Sequence, residues 1–128
     1  MAFEANVSEH RLLFDAKPEV GGNNRGPRPK ALLMASLAGC TGMDVVSILK
    51  KMKVQPDGLN IVVEGTLAEE HPKAYTALHV IYEFTGDNLP VDKIQRAVEL
   101  SQDKYCGVSA TLKKAVDLTY EIKIIPAK

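Results

Sequence analysis

Apolar and polar residues alternate from the start of the chain, with Phe3, Ala5 and Val7 on one side. After a polar corner, "SEH", a second short apolar segment follows, "RLLFDA". Two such runs across a tight corner predict a β-hairpin. "KPEVGGNNRGPRP" is a Gly-, Pro- and Asn-rich loop. From Lys30 to about Met52 the period changes to that of a helix, with Pro29 well placed at its start. The first half of this helix, "ALLMASLAG", is apolar nearly all round. In the second half Val45, Ile48, Leu49 and Met52 form one stripe, and Ser47, Lys50 and Lys51 turn to water. Two alternating segments follow, "LNIVVEGTL" and "YTALHVIYEF", joined by the turn "AEEHPKA". They predict a second hairpin, with Leu59, Ile61, Val63 and Leu67 on one face of the first strand and Leu78, Val80, Tyr82 and Phe84 on one face of the second. "GDNLP" opens a helix to about Tyr105, with Ile94, Ala97, Val98 and Ser101 on one side. "GVSATLKKAV" reads as a short further helix and "DLTYEIKII" as a last strand.

The predicted order is ββαββααβ. Strands grouped in hairpins argue for an α+β fold with an antiparallel sheet. One small sheet cannot cover a helix that is apolar on every side. A second subunit is expected to supply the missing cover, giving an obligate homodimer.

The 128 residues suit one domain, 1–128. Sixteen basic and sixteen acidic residues cancel, and no basic run offers a nucleic-acid face. The first ten residues lack the basic and apolar regions of a signal peptide. The longest mostly apolar run, Ala31 to Ala38, is too short to span a membrane, so the expected location is the cytoplasm. Cys40 and Cys106 form neither a CxxC pair nor a zinc spacing. A reducing compartment argues against a permanent structural disulfide between them.

Cys40 lies between Gly39 and Gly42 in the long helix. Glycine costs a helix interior about 1 kcal/mol relative to alanine, so each suggests close approach of another backbone or a ligand. Asp44 falls one turn after Cys40 on the same face, where its charge opposes a thiolate. Cys106 stands before a helix start, a position that lowers a thiol pKa, and Lys104 is near in sequence. By packing alone either cysteine can equally be a small apolar filler. The two can pair only if the fold brings their Cα atoms within about 7 Å. His10, His71 and His79 are scattered, and neither a Cys–His hydrolase nor a zinc site is legible in their spacing. "GGNNRG" fits no nucleotide-binding pattern.

"GPRPKALLMASLAGCTGMDVVSILKKMKV" resembles the central helix of the OsmC/Ohr family, the osmotically inducible and organic-hydroperoxide-resistance proteins. The matching positions are Gly26, Pro29, Leu32, Leu33, Ala35 and Cys40. "AVELSQDKYCGVSATLKKAVDLTYEI" is similar to the family's second cysteine segment, and "MDVVSILKK" and "KYCGVSATLKKAV" are similar to its YhfA-type branch. The resemblance implies an intertwined homodimer whose sheets wrap two central helices. It implies a peroxidatic Cys40 that attacks an organic hydroperoxide and a Cys106 that resolves the sulfenic acid to a disulfide. A dithiol, such as a lipoyl group on a carrier protein, would be the reductant, with no metal, flavin or haem. Two features depart from the family pattern. Lys30 and Ala31 stand where many members carry a Glu, and none of Arg11, Arg25 and Arg28 is matched to the family's activating Arg. The alternative is a non-catalytic relative that binds a small apolar or thiol ligand at the dimer interface.

Overall fold

The computed structural model describes residues 1–127. The chain divides into two compact units, Met1–Ala35 and Ser36–Lys128.

In the first unit, β1 (Phe3–Val7) and β2 (His10–Phe14) pair antiparallel, Phe3 opposite Phe14. Ser8 and Glu9 take positive φ to turn the corner. Within the glycine-rich loop, Pro18–Val20 form a single 3₁₀ turn. The Asp15 carboxylate organises this loop by accepting from the backbone N–H groups of Ala16, Asn23 and Arg25. Those three bonds, Arg25's first, hold the Asp15 carboxyl below the usual carboxylate range.

The long helix α1 (Ala31–Lys51) begins at the end of the first unit, and its residues from Ser36 onward belong to the second. There it is followed by β3 (Gly58–Leu67), β4 (Tyr75–Thr85), α2 (Val91–Leu100), α3 (Gly107–Leu112) and β5 (Asp117–Ile125). The ββαββααβ order holds, and the architecture is α+β with two sheets and one long helix. The sheet differs from the antiparallel expectation. β3 and β4 do form an antiparallel hairpin, but β5 lies parallel to β4, Leu78 opposite Leu118 and Phe84 opposite Ile124. The α2–α3 connection is therefore a crossover, which a parallel pair requires. β4 is the central strand of the order β3-β4-β5. Its inward residues Leu78, Val80, Tyr82 and Phe84 are fully buried.

Along α1 the buried residues are Leu37, Thr41, Val45 and Leu49, one stripe at four-residue spacing. Gly42 lies beside that stripe, where an added Cβ would sit 3.0 Å from Ile61 Cδ1 on β3. Here glycine does serve a close approach. Around Gly39 a Cβ would meet nothing. The other faces stay open, with Met43 77% and Val46 56% exposed. By length and composition all of α1 is apolar enough to cross a membrane, which the short run Ala31 to Ala38 did not suggest. Its stripe Leu37, Thr41, Val45 and Leu49 is buried within the second unit, where Thr41 hydrogen-bonds Tyr82 of β4 and Ser101.

Candidate active site

α2 does not continue regularly to Tyr105. At Ser101–Tyr105 the helix widens into a π turn, closed by the Cys106 N–H donating to Ser101 O at 2.8 Å. Such widened turns recur at functional sites. Cys106 then takes extended backbone angles and caps α3, its Sγ accepting from Ser109 N–H at 3.3 Å. Cys106 thus does stand at the start of a helix, which it caps with sulfur in place of the usual oxygen.

Cys40 faces this turn from α1. Both cysteines are free thiols, Cys106 buried and Cys40 half-buried. Their Sγ atoms and a carboxylate oxygen of Asp44 all lie within 4.8 Å of one another. Two cysteines far apart in sequence thus share one site with the carboxylate one turn below. The backbone N–H of Val108 favours the Cys40 thiolate most strongly. Burial, the Cys106 thiol and the Asp44 carboxylate outweigh it together and push the Cys40 thiol above its ordinary range.

A buried polar chain supports Asp44, and its direction follows from hydrogen counting. The Gln102 amide donates to Tyr82 Oη at 2.7 Å, and Ser101 Oγ donates to Asp44 Oδ2 at 3.0 Å. Between them Tyr82 Oη lies 2.6 Å from Thr41 Oγ1, which lies 2.7 Å from Ser101 Oγ. Each hydroxyl has one hydrogen. Ser101 spends its own on Asp44, so Thr41 donates to Ser101 and Tyr82 donates to Thr41. Burial holds the Tyr82 phenol above its ordinary range, which keeps that donor hydrogen in place. Four bonds therefore run one way, from Gln102 to Asp44. Neither Thr41 nor Gln102 stood out in the sequence. The signal for Thr41 was there, a hydroxyl at the four-residue spacing of the buried stripe.

Other sequence candidates lie elsewhere. Both ring nitrogens of His79 are engaged, Nδ1 with Thr119 Oγ1 at 2.7 Å and Nε2 with Glu121 Oε2 at 2.8 Å. That leaves no nitrogen for a thiol, in line with the poor prospects of a Cys–His hydrolase. Lys104 stands over the Tyr105 ring at 5.3 Å. Within the first unit Arg11 pairs with Glu4, and Arg28 bonds Asn24 Oδ1 and Gly26 O. Among the described residues, one open cavity of about 660 Å³ lies beside Val46 and Pro56 and another of about 600 Å³ beside Phe3 and Phe14. Neither is lined by the thiols.

The family model for OsmC-like proteins matches residues 21–121, which takes in both cysteines and parts of both units. Protein YhfA of Escherichia coli strain K12 is 30% identical over 122 residues, 95% of this chain and 88% of that protein. The crystal structure of an OsmC-like protein from Mycoplasma pneumoniae superposes with a TM-score of 0.81 at 16% identity, covering 97% of this chain and 89% of the other. The organic hydroperoxide resistance protein OhrB of Bacillus subtilis does so with a TM-score of 0.66 at 19% identity, covering 96% of both chains. The matched residues take in both cysteines, the long helix and the β3–β4 hairpin, and the chain belongs to the OsmC-like family.

Proposed function

We propose that the protein is a thiol-dependent peroxidase for organic hydroperoxides, working as a cytoplasmic homodimer. The observation that carries this reading is the convergence of two free thiols within 4.8 Å. Similarity in fold to an organic hydroperoxide resistance protein points the same way. The Cys40 thiolate attacks one peroxide oxygen and the O–O bond breaks. The alcohol leaves with a proton, and Cys40 becomes a sulfenic acid. The Cys106 thiol then attacks that sulfur and water leaves, giving a Cys40–Cys106 disulfide. A dithiol, for example a lipoyl group on a carrier protein, returns both thiols by two exchange steps and is itself oxidised to a disulfide.

The half-buried Cys40 is the attacking group and the buried Cys106 the resolving one. Of the neighbours of Cys40, the Val108 N–H favours the thiolate, and Asp44 opposes it. The homodimer reading rests on Met43 and Val46, large apolar side chains on an otherwise core helix that one chain leaves open.

The test is a cysteine map. Reduced protein receives one equivalent of cumene hydroperoxide, free thiols are blocked, and the digest is read by mass spectrometry. A Cys40–Cys106 disulfide that forms faster than with hydrogen peroxide is the expected result. Two unmodified thiols would refute the peroxidase. A second reading draws on the upward push on the Cys40 thiol: a non-catalytic relative that holds a small apolar or thiol ligand at the dimer interface. Native mass spectrometry showing a co-purified ligand, with no peroxide turnover, would favour it.

A further inference from the structure

The groups around Cys40 make an unusual setting for a thiolate. A backbone N–H faces it, and so do a second thiol and a carboxylate. With both thiols ionised the cluster would carry three negative charges. Charges gathered this closely repel unless a cation joins them. Two sulfurs and one carboxylate oxygen from three side chains are also the donor set of a thiophilic metal ion.

We propose that Cys40, Asp44 and Cys106 form a binding site for a thiophilic divalent cation of the zinc class, with two sulfurs, one oxygen and a fourth position open to water. Nothing in the spacing of the cysteines indicated this, because the site is assembled by the crossover between β4 and β5. The geometry is close to what such an ion needs. Zinc–sulfur bonds of about 2.3 Å set tetrahedral ligand edges of roughly 3.5–3.8 Å. The three donor atoms are at most 4.8 Å apart, so closing on an ion takes a contraction of at most about 1.3 Å.

The surroundings of the ligands are those of a supported metal site. Ser101 Oγ donates to Asp44 Oδ2 and fixes the carboxylate, at the end of the one-way chain from Gln102. Ser109 N–H donates to the Cys106 sulfur, and the Val108 N–H favours the thiolate of Cys40. Donors of this kind orient ligands and disperse thiolate charge onto the backbone. The site uses the two thiols of the peroxidase reading, but its test needs no turnover and stands or falls separately.

The experiment titrates Zn²⁺ into reduced full-length protein by calorimetry, with Cd²⁺ as the spectroscopic reporter. The expected result is one ion per chain, an ultraviolet thiolate-to-cadmium charge-transfer band, and release of about two protons per ion near neutral pH. Cys40→Ser and Cys106→Ser should each remove most of the band. Asp44→Asn should weaken binding by upwards of about tenfold, the loss that even an outer-shell partner can cause. No band with the native protein, an unchanged affinity in Asp44→Asn, or one ion shared between two chains would overturn the proposal. The native titration decides the first and last points without any variant. Far-ultraviolet circular dichroism of each variant confirms that a lost band is a lost ligand and not a lost fold.

Discussion

The hydroxyl chain from Gln102 to Asp44 makes a prediction that depends on its direction. Thr41→Val replaces a fully buried hydroxyl by a methyl group of nearly the same shape. The packing of the stripe Leu37, Thr41, Val45 and Leu49 is preserved, so no cavity is created. What changes is hydrogen bonding. Tyr82 donates to Thr41, and in the variant its buried O–H has no acceptor. Ser101 loses the hydrogen it accepts but keeps its own donation to Asp44. A buried donor left without a partner costs about 1–3 kcal/mol. The new methyl group returns less than about 1 kcal/mol of burial. The net loss is then about 1–2 kcal/mol, which for a chain of this size is roughly 3–10 °C in Tm.

Differential scanning calorimetry of the reduced protein reads this directly, and the double variant Thr41→Val/Tyr82→Phe tests the direction. Removing the phenol oxygen together with its lost acceptor takes away the orphaned donor. The double loss should therefore fall short of the two single losses added together by about 0.5 kcal/mol or more. Strict additivity, or a Thr41→Val protein as stable as the native one, would refute a chain running from Tyr82 through Thr41.

The remaining predictions address other parts of the molecule. The alkylation rate of Cys40 should climb with pH beyond the point where free cysteine levels off, because burial, Cys106 and Asp44 together outweigh the Val108 N–H; Asp44→Asn should move that profile to lower pH, as followed by iodoacetamide labelling and mass spectrometry. Asp15 has a folded pKa below its ordinary value. Its contribution is therefore complete above the ordinary carboxylate range and lost as pH falls through the depressed value, so limited proteolysis of the 17–26 loop should accelerate there and, in Asp15→Ala, at neutral pH too. Phe84→Ala in the central strand should cost about 3–5 kcal/mol in urea unfolding. Met43→Glu should convert a dimer to monomers in light scattering after gel filtration, since it puts a charge in the middle of the open helix face.

The strands and helices were legible because each is written in a local period, two along β4 and nearly four along α1. Neighbours in the sheet are not local. A period-two pattern in β5 shows which residues share a face but not which strand lies beside it. The antiparallel expectation came from grouping strands that are adjacent in sequence, and it failed where two helices carry the chain from one end of β4 back to the start of β5. The π turn was hidden for a related reason. "SQDKY" has an ordinary helical composition, and widening by one residue leaves no mark on it. Yet that turn gives the site its form. By spending the Ser101 carbonyl on the Cys106 N–H, it ends α2 where Ser101 Oγ meets Asp44 and Cys106 meets Cys40. The cysteines were visible as residues and Asp44 as their neighbour on one helix face. Their union is made across the fold, where the segment between β4 and β5 carries Cys106 and its Ser101 meets Thr41 and Asp44 of α1.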